Sequence, residues 1–216
     1  MLVMAKTPRA GLVKTRLHPL LGPQGCARLQ AGLIRRTVLL AQLVAPTRTY
    51  LALDAVDSPG ELVRVVPAGV TVLPQSGPDL GSRMSIAAED VCLDHRGALL
   101  LIGTDAPTLT ASHLRRAAEW LVAGHDAVFG PALDGGYYLV GMNGPLPALF
   151  TIDPALWGGP QVLTASLAAA HQGGLRVVEL PALRDLDTPQ DAAAFLTEGD
   201  LPADIAVLLR TPAGTP

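Results

Sequence analysis

Cysteine is nearly absent. Cys26 and Cys92 stand far apart in a chain of 216 residues, too few for a disulfide framework and too isolated for a cysteine-rich zinc site, so both read as small buried hydrophobes. Charge is also scarce. Asp, Glu, Lys and Arg make up 16% of the chain and the formal net charge is −3, which argues against general nucleic-acid binding, where many phosphate contacts call for a basic surface. No apolar run approaches the length of a membrane span, and the first residues enter a strand-like segment instead of a secretory-signal pattern. The expectation is a cytoplasmic protein that binds neither nucleic acid nor membrane. The chain lacks GxxxxGK[ST], since Gly11-Leu12-Val13-Lys14-Thr15 is too short, and it has no GxGxxG and no internal repeat.

Apolar residues are plentiful, at 49% of the chain, enough for a sizeable core. One domain over 1–210 with a fraying tail at 211–216 is expected. Short apolar runs alternate with amphipathic stretches, which predicts an α/β fold with a mainly parallel sheet and helices on both faces. Strands are expected at 2–5, 49–54, 70–73, 98–103, 126–130, 136–141 and 175–180. The run Ala98 to Gly103 is apolar throughout and suits the middle of the sheet. Cys26, Leu29, Leu33, Leu40 and Val44 recur at helical spacing and predict a helix lying on one sheet face, its other side kept polar by Arg28, Arg35 and Arg36. Further helices are expected at 80–94, 110–123, 160–172 and 189–197, with Thr110 and Thr188 as N-caps.

Three groups of polar residues stand out beside a basic opening. Lys6, Arg9, Lys14 and Arg16 crowd around Pro8 and Gly11 directly after the first strand. A solvated turn needs fewer cations, whereas a loop that holds an anion uses cations, backbone N–H groups and a glycine. Asp105 follows the central strand, where open α/β sheets bind ligands, although Asp105-Ala106-Pro107 is also ordinary turn chemistry. Asp134-Gly135-Gly136-Tyr137 reads either as a tight hairpin or as a close backbone approach to a ligand. Asp185 and Asp187 precede Thr188-Pro189, a helix start that by itself needs no such pair. Together these groups describe a polyphosphate site with a divalent metal, because Mg²⁺ commonly takes one or two carboxylates plus phosphate and water. Two carboxylates that close would repel each other with no cation between them.

The ordered set KTPRAGLVKTRL, PDLGSRM, LLLIGTDAPTL, GPALDGGYYLVG, WGGPQVL and LRDLDTPQD resembles the bacterial family described as glycosyltransferase-like or selenodomain-associated transferases. That family is similar to nucleotide-diphospho-sugar transferases of GT-A type fold, including molybdenum-cofactor and phospholactate guanylyltransferases. The resemblance spans about residues 2–195 and implies a single-domain GT-A-like fold. It implies nucleotide phosphates against Lys6, Gly11, Lys14 and Arg16, with Lys14, Arg16 and Asp105 serving catalysis. It further implies Mg²⁺ or Mn²⁺ on Asp105 and Asp187, and an acceptor or sugar beside Asp134, Gly135, Gly136 and Tyr137. The chain departs from the family pattern at 75–81, where QSGPDLG replaces a common Gly-Glu-Gly-Asp-Leu-Gly run, and at Gly158-Gly159, where many members carry Ser or Thr. The glycines of Gln75 to Arg83 suggest a moving lid.

Two reactions fit such a site. One is nucleotidyl transfer from a nucleoside triphosphate to a small anionic acceptor; the other is glycosyl transfer from a nucleotide-sugar. The first is favoured, because a single Asp105 stands where glycosyltransferases carry D-x-D and because pyrophosphate departure calls for more cations. A non-catalytic nucleotide-binding module is the third reading.

Overall fold

The computed structural model describes residues 1–55, 66–94 and 97–210; the tail expected to fray, 211–216, lies outside them. Seven strands form one sheet in the order β3-β2-β1-β4-β6-β5-β7. They are β1 (Leu2–Ala5), β2 (Tyr50–Leu53), β3 (Thr71–Pro74), β4 (Ala98–Ile102), β5 (Ala127–Pro131), β6 (Tyr137–Asn143) and β7 (Val177–Glu179). Only β6 runs against its neighbours β4 and β5, and the remaining pairs are parallel. The apolar run expected at the centre is β4, fourth of the seven strands.

Successive residues of a strand point to opposite faces, and here both faces are covered. Val3, Leu51, Leu53, Leu100 and Ile102 pack on one side against α1 (His18–Val44) and α3 (Ala111–Val122), through Ile34, Val38, Leu114 and Leu121. Leu2, Met4, Ala52, Leu99 and Leu101 pack on the other against α2 (Leu80–Asp94) and α4 (Val162–Gln172), through Met84, Val91 and Ala170. This double burial explains why β4 has no polar alternation. Thr110 and Thr188 cap α3 and α5 (Pro189–Glu198) as expected, each inside a capping box with His113 or Asp191.

The apolar stripe of α1 is divided. Ile34, Val38 and Ala41 face the sheet, whereas Cys26, Leu29 and Leu33 face a third cluster with Leu186, Phe195, Ile205 and Leu209. The helix is therefore sandwiched, and its outer cover includes α6 (Ala203–Arg210), which the sequence reading did not anticipate. Gly32 makes that cover close, since a Cβ there would stand 2.6 Å from Leu208 Cδ1. Of the two cysteines, Cys26 is buried as expected and Cys92 only half-buried.

Candidate active site

Three chain segments meet at the carboxyl ends of β1 and β4. The loop after β1 carries Lys14, the turn after β4 carries Asp105, and the segment after β7 carries Asp187. That last segment is laced into place by backbone. Leu183 N–H donates to Pro131 O at 3.0 Å, Leu133 N–H to Leu183 O at 2.9 Å, and Leu186 N–H to Asp105 O at 2.8 Å. Tyr138 on β6 adds a hydroxyl bond to Pro181 O at 3.0 Å, and its ring fits only because Gly130 has no side chain, a Cβ there falling 2.4 Å from Tyr138 Cζ. Burial pushes the Tyr138 hydroxyl up to about 12, so it remains a donor throughout the neutral range.

Lys14 occupies the meeting point. Its Nζ donates to Asp105 Oδ1 at 2.5 Å, Asp187 Oδ1 at 2.7 Å and Leu186 O at 3.0 Å. All three ammonium protons are thus used, and the side chain is only 4% exposed. Burial alone would lower the Lys14 pKa, but the Asp105 and Asp187 carboxylates outweigh it and hold the value above the ordinary lysine range. Burial would likewise raise Asp187, yet Lys14, then Arg16 and Lys6, keep it below the usual carboxylate range. The repulsion foreseen between two bare carboxylates is accordingly absent: a cation lies between them, supplied by the protein. Lys14 is also the single non-glycine residue with positive φ among the described residues, at φ 48.

The surrounding cavity, of about 460 Å³, is lined by Lys6, Lys14, Arg16, Asp105, Asp134, Gly136, Tyr137 and Asp187 of the residues singled out by sequence. Gly11 and Gly135 do not line it. Gly11 sits in open space. Gly135 is needed by the hairpin itself, with φ +92 and a would-be Cβ 2.1 Å from Pro160 O. Asp134 serves the same turn, accepting from Gly136 N–H at 2.9 Å. The Tyr137 hydroxyl donates to Met84 Sδ at 3.9 Å, and burial holds its pKa far above that of free tyrosine. Arg9 is not among the lining residues.

The lining also includes Asp185, paired with Asp187 in the sequence reading, Gln75 and Arg83 from the stretch read as a lid, and two residues given no role from sequence, Gln30 and Trp157. Gln30, 3% exposed, donates to Lys6 O at 3.2 Å and Thr104 Oγ1 at 3.5 Å; a glutamine among apolar helix positions was the available signal. Asp185 has a buried Oδ1 with no partner. Burial first, then the carboxylates of Asp105, Asp134 and Asp187, push its pKa up to about 8. The stretch 75–83 is tied at several points in this structure. Gln75 Nε2 donates to Ala5 O and Ala52 O at 2.9 Å each, Asp79 caps α2 through Ser82, and Arg83 Nε donates to Gly77 O at 3.1 Å.

The residues fit a divalent cation of the hard type. Asp105 and Asp187 already converge on one positive charge, carboxylate oxygen is the donor that Mg²⁺ and Mn²⁺ prefer, and Asp185 holds an unspent oxygen nearby. No three His, Cys, Asp or Glu side chains form a ready cage among the described residues. The fit is therefore to an ion completed by water and ligand phosphate.

A family model described as "Uncharacterized protein conserved in bacteria (DUF2064)" matches residues 37–156, more than half of the chain. No curated protein matches it in sequence. Among solved structures, it is similar to a protein from Desulfovibrio desulfuricans G20 whose description, nucleotide-diphospho-sugar transferase, is provisional. The identity is 27% and the TM-score 0.84, over 97% of this chain and 95% of that one. The fold is shared with a cytidylyltransferase from Leptospira borgpetersenii serovar Hardjo-bovis (strain JB197), at 12% identity and TM-score 0.58 over 96% and 90% of the two chains. It is shared too with 4-diphosphocytidyl-2C-methyl-D-erythritol synthase from Anaerococcus prevotii DSM 20548, at 11% identity and TM-score 0.58 over 91% and 95%.

Proposed function

The chain belongs to the DUF2064 family, and from that footing we propose that it is a metal-dependent transferase using a nucleotide donor, acting by nucleotidyl transfer from a nucleoside triphosphate to a small anionic acceptor. The observation that carries this reading is the convergence of Asp105 and Asp187 on one buried cation, inside a cavity that also holds Lys6 and Arg16. Asp105 and Asp187 would hold Mg²⁺ or Mn²⁺, which when bound supplies charge neutralisation for phosphate oxygens.

The work of the chain's own residues is positioning and electrostatics. Lys6 and Arg16, both exposed at the cavity wall, suit the outer phosphates of a triphosphate and the negative charge that builds as pyrophosphate leaves. An acceptor oxygen attacks the α-phosphorus, a new P–O bond forms, and the bond to the bridging oxygen breaks. Arg83, held at the wall through its Nε bond to Gly77 O, adds a cation suited to an anionic acceptor. Glycosyl transfer is the second reading, favoured by the provisional description of the 27% identical relative.

A thermal-shift screen of the four ribonucleoside triphosphates and several nucleotide-sugars with Mg²⁺ or Mn²⁺, followed by assays for released pyrophosphate or nucleoside diphosphate, separates these. Nucleotidyl transfer expects one triphosphate to raise the melting temperature and pyrophosphate to appear with a small anionic acceptor. Diphosphate release from a nucleotide-sugar alone would transfer the assignment to the second reading. Stabilisation by no nucleotide would sink both.

A further inference from the structure

Resting on the divalent-cation reading above, we propose that Lys14 is a built-in competitor for the metal: its ammonium keeps the place between Asp105 and Asp187 in the free protein, and the metal binds tightly only when ligand phosphate draws the lysine away. The contested atoms are specific. Lys14 Nζ is bonded to Oδ1 of both aspartates, the carboxylates through which a shared ion would be held. An ammonium and a divalent ion cannot both sit a hydrogen-bond length from these oxygens, because like charges at that separation repel strongly away from bulk water.

The choice of residue supports exchange. Lys6 and Lys14 are the only lysines in 216 residues, every other side chain of this charge being arginine. A compact ammonium with three rotatable donors suits the three converging oxygens, where a planar guanidinium fork would not. The backbone supports it as well. Lys14 has left-handed dihedrals, φ 48 and ψ 41, a conformation that is unfavourable outside glycine and that collects at sites with alternative states. Gly11, three residues earlier, has φ +82 and nothing within 4 Å of a would-be Cβ. Lys14 thereby prevents repulsion between the aspartates in the free protein and is available for phosphate once the ion replaces it.

Two measurements test this. Mn²⁺ binding without nucleotide, read by electron paramagnetic resonance, should be about tenfold or more tighter in Lys14→Gln than in wild type, and adding Asp105→Asn should abolish it in both. In wild-type protein labelled with ¹⁵N-lysine, the hydrogen-bonded Lys14 ammonium resonance should be lost at Mg²⁺ saturation while that of Lys6 persists. This second measurement needs no variant, so it stands even if Lys14→Gln folds poorly. Equal Mn²⁺ affinities that still depend on Asp105, or a Lys14 resonance unchanged at saturation, would overturn the competition and leave the metal reading intact. No Asp105-dependent Mn²⁺ binding in any of these proteins would remove the metal reading, and the competition with it.

Discussion

Replacing Asp187 with Asn leaves the Lys14 ammonium buried against one charged carboxylate instead of two. The metal-free protein should lose about 1–3 kcal/mol, a fall of several degrees in melting temperature for a chain of this size. Calorimetry showing no loss, or a gain, would mean that Lys14 does not compensate the pair. This reverses what the sequence alone suggests, namely that removing one of two repelling carboxylates relieves strain. Sequence marks Lys14, Asp105 and Asp187 as charged and well placed, but the partners lie 91 and 173 positions from Lys14, and charge patterns do not say which ions meet. His113 gives a pH-dependent counterpart. Burial lowers its pKa below the ordinary 6.5, and its Nδ1 accepts the Thr110 N–H at 3.1 Å. A lowered folded-state value means that its contribution is complete above about pH 6.5 and fades as pH falls through the folded value. Wild type should therefore lose more thermal stability than His113→Asn between pH 7.5 and 5, and parallel curves would count against it.

At the scale of elements, the hairpin joining β5 and β6 leans on the chain before α4, and Gly135 is where they touch. Gly135→Ala places a Cβ against the Pro160 carbonyl at a left-handed backbone position. Overpacking of this kind costs about 1–3 kcal/mol, and a melting temperature within a degree of wild type would show that the hairpin yields. Of the two sequence readings of Asp134-Gly135-Gly136, the tight hairpin is what Gly135 serves, while Asp134 and Gly136 line the cavity. The strands were legible because each is a short apolar run with glycine or proline nearby. Helix α6 was not: it has eight residues, and the surface it covers on α1 reads as part of a single sheet-facing stripe. Ile205, fully buried in that cover, tests it. Ile205→Ala should cost about 2–5 kcal/mol, and a loss under 1 kcal/mol would make α6 an ornament on α1.

For the molecule as a whole, alternation of β and α signals was enough to give a mainly parallel sheet with covered faces, and the position of β4 in its middle. The antiparallel insertion of β6 follows from the short hairpin after β5, since a parallel crossover needs a dozen or more residues. What pattern reading cannot supply is the path by which residues 180–187 return across the sheet ends, because that path depends on single bonds such as Leu186 N–H to Asp105 O. That one bond also sets a schedule. A ribosome releases Lys14 early and Asp187 only after 172 further residues, so for most of synthesis the lysine has no second carboxylate and the cavity has no far wall. Contacts this remote in sequence close late and slowly. In pulse-labelled refolding, the amides of β1, β2 and β4 should gain protection before Leu186, making the candidate site the last part of the protein to come into being.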